Sequence, residues 1–123
     1  MGDFDMRETE ILNAVIDGTM LGIEDHGLMT AYVYLKGDGW GVGFGGYVLD
    51  AWDGKKRTQT PLTGMFVSRV LEVVGADKWE DLKGKPVRVE SEGLGGGCVR
   101  IGHYVKDLWF NPKEEFKSWK QSH

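Results

Sequence analysis

The stretch GWGVGFGGY, residues 39–47, holds five glycines in nine positions and decides how the chain is read. From Gly41 onward, GVGFGG fits the letters G-x-G-x-x-G of a dinucleotide-binding loop. That loop needs a strand before it and a helix opening on its last glycine. Here YVLDAWDG follows instead, a strand-like piece ending in a turn, with no helix signal until Thr60-Pro61. A Rossmann loop is therefore excluded. Alternation gives a second reading, in which Trp40, Val42 and Phe44 share one face and Gly41, Gly43 and Gly45 share the other. Glycine in a strand costs roughly 0.5–1 kcal/mol relative to alanine, so three in alternation need a physical reason. Either backbone or an aromatic ring packs on the bare strip, or the strip floors a ligand site whose amides meet phosphate or hydroxyl oxygens.

Working outward, Lys36-Gly37-Asp38-Gly39 contains Asp-Gly, a hairpin signal. Before it, Met29, Ala31, Val33 and Leu35 alternate against Thr30, Tyr32 and Tyr34, the mark of a half-buried strand. Residues 8–17 form an earlier strand, and Glu24-Asp25-His26-Gly27 form a polar turn. Residues 51–59 read as a polar loop carrying Lys55, Lys56 and Arg57. Thr60 as N-cap, Pro61 at the first helical position, and Leu62, Phe66, Val70, Val73 and Val74 at helical spacing predict the main helix, stopped by Gly75. Residues 78–82 suit one further helical turn. Val87 and Val89, then Val99, Ile101 and Val105, mark two strands joined by a glycine-rich turn at residues 93–97, and a short helix starts near Asn111-Pro112. Strands, helix, then strands predict the α+β class: a mostly antiparallel sheet with one main amphipathic helix and one or two short ones, in one domain spanning residues 1–123.

Composition bounds the function. A net charge of −4 disfavours nonspecific binding to DNA or to an anionic membrane, yet a few arginines can still build a local anion pocket. The single cysteine, Cys98, excludes an internal disulfide and a multi-cysteine zinc site. His26, His103 and His123 lack metal-ligand spacing, and no metal or cofactor is expected. The acidic start MGDFDMRETE has no apolar core, and no stretch of about 20 apolar residues occurs, so a soluble, cytoplasmic protein is expected.

Arg57, Arg69, Arg88 and Arg100 are the candidate phosphate ligands, because a planar guanidinium matches phosphate in a fork. Arg88 and Arg100 alternate against Val87, Val89, Val99 and Ile101 and should project from the opposite face, where pairing with Glu90 would equally account for them. Asp25 and His26 could act as an acid–base pair or as ordinary turn residues. Triad spacing and paired catalytic carboxylates are absent from the sequence.

The segments TMLGIEDHGLMTAYVYL, GVGFGGYVLD, FVSRVLEVVGADKWEDLKGKPVRVE and IGHYVKDLWFNP, in this order, resemble the first type of Thoeris anti-defence proteins of phages, over most of residues 8–112. The resemblance implies a non-enzymatic sponge that binds a cyclic ADP-ribose isomer without cleaving it, so that the bacterial Thoeris effector stays off in the host cytoplasm. It also implies a homo-oligomer built from dimers with pockets between subunits, and for some members a second site for cyclic oligonucleotides. The matching motifs are Gly43, Phe44, Gly45, Gly46 and Tyr47, then Asp25-His26-Gly27, and Ile101-Gly102-His103. Phe66 or a nearby aromatic is the candidate ring for stacking on adenine. GLGGGCVR at residues 93–100 departs from the family pattern. Two rival readings are a phosphodiesterase using His26 or His103, and a protein-binding module presenting Trp40, Trp52 and Trp109.

Overall fold

The computed structural model describes residues 9–92 and 97–122, with only the backbone of Tyr47 and Val48. Residues 93–96 of the expected glycine-rich turn and the start of the expected first strand, Glu8, fall outside the described residues. A long strand β1 (Thr9–Ile23) turns at residues 24–28 into β2 (Met29–Gly37), which returns through Asp38-Gly39 as β3 (Trp40–Gly45). A 3₁₀ turn (Gly46–Leu49) leads to a small hairpin, β4 (Ala51–Trp52) and β5 (Arg57–Thr58), and then to helix α1 (Leu62–Val74). After a second 3₁₀ turn (Trp79–Asp81) come β6 (Pro86–Glu92), β7 (Cys98–His103), β8 (Trp109–Phe110), α2 (Pro112–Glu115) and α3 (Lys117–Ser122). The main sheet has the order β3-β2-β1-β6-β7-β8 and is antiparallel throughout, which makes the class α+β.

Strand β1 is the spine. Its first half pairs with β6 (Thr9↔Glu92 to Val15↔Pro86) and its second half with β2 (Gly18↔Tyr34 to Ile23↔Met29). The register slips between Ile16 and Gly18, leaving Asp17 as the extra residue of a bulge, which bends the strand and strengthens its twist. The sheet therefore coils around α1 instead of lying flat.

Helix α1 forms where its apolar spacing predicts, but it opens at Leu62, so Pro61 and not Thr60 stands at the N-cap position. The Thr60 hydroxyl accepts from the Leu62 N–H (3.0 Å) and donates to the Leu49 carbonyl (2.5 Å). Gly75 closes the helix in the left-handed conformation, φ 86°, where a side chain would be strained. Leu62, Phe66, Val70 and Val73 present one fully buried stripe. Phe66 lies 5.6 Å from both Phe44 of β3 and Phe110 of β8, and Phe110 lies 5.8 Å from Phe116, centroid to centroid. Arg69 fastens the helix to the chain's end. Its Nε and Nη2 donate to the Glu115 carboxylate (2.8 and 3.2 Å), and Nη2 donates also to the Trp109 carbonyl (3.0 Å).

Several expectations are corrected. Residues 46–49 form a 3₁₀ turn rather than strand, and residues 51–59 hold a small hairpin rather than a loop. Val105 lies beyond β7 and is 78% exposed, so it marks no strand. Gly45 does not share the outer face with Gly41 and Gly43. Its φ of 121° aims the missing side chain inward, at the Ala31 carbonyl and the Phe66 ring.

The two glycines should accordingly respond in opposite ways. Gly45→Ala should lose roughly 2–4 kcal/mol in urea unfolding, from backbone strain plus overpacking against Phe66. Gly43→Ala places its methyl 3.7 Å from the Tyr32 ring, an ordinary contact, and should leave stability unchanged or raise it by up to about 1 kcal/mol.

Candidate functional site

The outer face of the sheet, opposite α1, carries a trough of ≈ 640 Å³ over the β2–β3 hairpin. Cross-strand pairing explains it. Gly43 stands opposite Tyr34 and Gly41 opposite Lys36, so those two long side chains face positions without side chains. Trp40 and Asp17 line the trough as well. Tyr34 is 43% exposed, and its ring lies parallel to that of Tyr32, 5.9 Å between centroids with 6° between planes. The two rings cover the Gly43 end of the strip, and Tyr32 packs on Gly46; at Gly41 the near neighbour is the Leu35 carbonyl and no side chain lies within 4 Å of where a Cβ would stand. As the terminal strand of the sheet, β3 also turns every second backbone N–H and C=O away from β2.

A second groove of ≈ 390 Å³ adjoins the trough and shares Lys36 and Gly37 with it. It runs past Val15 to Asn13, the cross-strand partner of Arg88. On this face Gly102 leaves room for the Trp109 indole to lie on β7. The guanidinium carbons of Arg88 and Arg100 sit 4.7 and 4.1 Å from the indole centroid. The two arginines are fixed differently. Arg100 is paired with Glu90, whose carboxyl is held below its ordinary range by hydrogen bonds from Thr9 and Arg100. Arg88 instead donates to the neutral carbonyls of His103 (2.9 Å) and Lys106 (2.6 Å).

The other predicted residues are dispersed. Phe66 is fully buried and Phe44 is 3% exposed, so neither can stack on a ligand without opening the core. Arg69 spends its donors on Glu72, Glu115 and the Trp109 carbonyl, inside the helical layer. Arg57 lies on the β4–β5 hairpin, 3.6 Å from Asp50, whose carboxyl is raised by burial against the opposing pull of Arg57. His103 Nδ1 accepts from the Val105 and Lys106 N–H groups (3.0 and 2.9 Å), which fixes a turn. Cys98 is a half-buried thiol pushed up to about 12 by desolvation, too high for a thiolate nucleophile near neutrality. The Tyr47 side chain lies outside the described structure. Of the three tryptophans read as a protein-binding patch, only Trp52 is exposed, at 67%; Trp40 packs on the core and Trp109 lies between arginines.

The partner of His26 is Glu24, not Asp25. Glu24 accepts from the His26 N–H (2.5 Å) and ring Nδ1 (2.9 Å) and from the Leu28 N–H (3.3 Å), closing the β1–β2 turn. The ring hydrogen bond raises His26 above its ordinary value and lowers Glu24.

Tyr34 and Lys36 are the residues that sequence reasoning missed as site members. The signal was present: both alternate against Val33 and Leu35, and the Asp-Gly turn pairs them with glycines. Among the described residues no group of three or more His, Cys, Asp or Glu could hold a metal ion, and no helix is long and apolar enough to cross a membrane. No family model, curated protein or solved structure matches the chain.

Titrating His26 by proton NMR should give a midpoint above 6.5, and Glu24→Gln should return it toward 6.5. The stabilisation from the pair is present below the unfolded pKa of His26 and is lost as pH rises through the folded one. On the acid side it is lost as pH falls through the lowered pKa of Glu24. An unmoved midpoint in the Glu24 variant would overturn the assignment.

Proposed function

We propose that the protein sequesters a cyclic ADP-ribose-type signal nucleotide without cleaving it, and so acts as a phage sponge against the Thoeris defence. The observation that carries this reading is the outer-face trough, where a side-chain-free floor, an exposed tyrosine ring and a lysine meet. Such a site suits a flat base and a diphosphate together: aromatic stacking on a base contributes roughly 1–3 kcal/mol, and an ammonium group adds a charge-assisted hydrogen bond to phosphate. The order of the LGIEDHG, GFGGY and IGHYVKDLWF motifs, and their resemblance to the sponge family, supports the same ligand class.

In this reading Tyr34 takes the stacking role first given to Phe66, and Lys36 takes the phosphate role at the trough. Arg88 lies on the same face, beside the adjoining groove, where its charge meets no carboxylate within 4 Å among the described residues. A second subunit seated on this face would close the shallow trough and surround the ligand, which is how a homo-oligomer built from dimers serves tight binding. A cyclic oligonucleotide would meet the same chemistry of exposed ring and cations.

Calorimetric titration with cyclic ADP-ribose isomers should show one of them bound. Heating the complex should then release it with unchanged mass. Tyr34→Ala should weaken binding by about 5- to 150-fold, the equivalent of roughly 1–3 kcal/mol of stacking. Release of a hydrolysed product would favour the phosphodiesterase reading, and a pull-down of protein with no nucleotide bound would favour the protein-binding reading; either overturns the proposal.

A further inference from the structure

The trough and the groove beside it are two halves of one furrow across the outer face. Lys36 and Gly37 line both, and Lys36 is the only cation in either lining among the described residues. Among those residues no carboxylate pairs with it within 4.0 Å. On either side of this lysine the furrow repeats the same equipment. The trough has the Tyr34 ring and the Asp17 carboxylate, and the groove has the Tyr104 ring and the Asp38 carboxylate. Both rings face solvent, at 43% and 46% exposure.

Strand register fixes the arrangement. Lys36 pairs with Val15, and Val15 pairs with Pro86. Tyr104 follows His103, the partner of Val87, and so reaches the level of Pro86. Lys36, Val15, Pro86 and Tyr104 form a row across the sheet, and all four line the groove. Tyr34 stands two residues from Lys36 on β2, between Gly18 of β1 and Gly43 of β3, so neither neighbouring strand sets a side chain beside it at that level. Three strand spacings of about 4.8 Å and a two-residue rise of about 7 Å put the backbones that carry the two rings roughly 16 Å apart, with Lys36 at the corner between them.

A tyrosine ring stacks on a base, a carboxylate accepts from ribose hydroxyls, and an ammonium group holds phosphate. A ring and a carboxylate on each side of a cation therefore match a base and a ribose on each side of a phosphate bridge. We propose that the whole furrow binds a linear dinucleotide, two nucleosides joined by a diphosphate, with one base on Tyr34, the other on Tyr104 and the bridge at Lys36. A mononucleotide is too short to reach both rings, and a cyclic dinucleotide is closed on itself in a way that draws its bases together. The assignment rests on the trough being a nucleotide site, and not on cyclic ADP-ribose, whose single base needs only the Tyr34 half.

Diadenosine diphosphate, ADP and the cyclic ADP-ribose isomers, each titrated calorimetrically into the full chain, test this. Diadenosine diphosphate should bind one per chain and at least about fivefold tighter than ADP, the low end of what stacking one more base contributes. Tyr104→Ala should bring it down to the ADP value while leaving ADP and the cyclic isomer unchanged, and Tyr104→Phe should keep the difference. Tyr34→Ala should weaken every ligand that binds. Equal affinity for diadenosine diphosphate and ADP, an advantage untouched by Tyr104→Ala, or a Tyr104→Ala loss shared by all ligands would overturn the inference and leave the sponge reading standing. Binding of diadenosine diphosphate through both tyrosines, with no cyclic isomer bound, would do the reverse. Binding of none of them overturns both.

Discussion

The contact of Phe66 with Phe44 and Phe110 holds the architecture together. Phe44 lies on the first strand of the sheet order and Phe110 on the last, and the two rings meet edge to face, 5.9 Å apart. A sheet brings its two ends that close only by coiling, and the bulge at Asp17 supplies the bend. Once α1 fills the inside, the inner face is used up by apolar packing. Removing the Phe66 ring would cost about 3–5 kcal/mol, a large share of the stability of an ordinary domain. The same packing gives Gly45 its role, because only a residue without a side chain passes between the Ala31 carbonyl and Phe66.

Chemistry is thereby confined to what the core does not consume. The outer face keeps Tyr34, Lys36, Arg88 and Trp109, held on strands whose register is set by the buried face. That makes the face a rigid platform, with side chains placed by pleat rather than by loops. Indole between two guanidiniums adds roughly 0.5–2 kcal/mol per contact and keeps both cations oriented. A chain of net charge −4 thus gathers Lys36, Arg88 and Arg100 on one face of its sheet. Net charge alone does not describe that face, since screening over about 10 Å leaves a patch with its own field.

Much of the fold followed from local rules. Thr60, Pro61, the Leu62–Val74 spacing and Gly75 defined α1, and Asp38-Gly39 with the alternation around it defined the β2–β3 hairpin. Asn111-Pro112 marked α2. The outward projection of Arg88 and Arg100, and the Glu90 partner of Arg100, also followed from alternation. The candidate site was harder, because charge chemistry selects arginines wherever they stand, and pairing is invisible in one dimension. Arg69 reads like a phosphate ligand until Glu115, 46 residues later, is seen to hold it. Phe66 is a candidate stacking ring until Phe44 and Phe110 are seen to pack against it.

By itself, then, the sequence determined the identity of the main elements, the two-faced character of β2 and β3, and the bare positions Gly41 and Gly43, since these depend on backbone dihedrals and neighbours only a few residues apart. Tertiary structure alone decided which glycine faces the core, which cations keep unmatched charge, and that the trough belongs to Tyr34 and Lys36. Those outcomes turn on the register between strands and on contacts between residues far apart in the chain, and only the closed fold brings these into range.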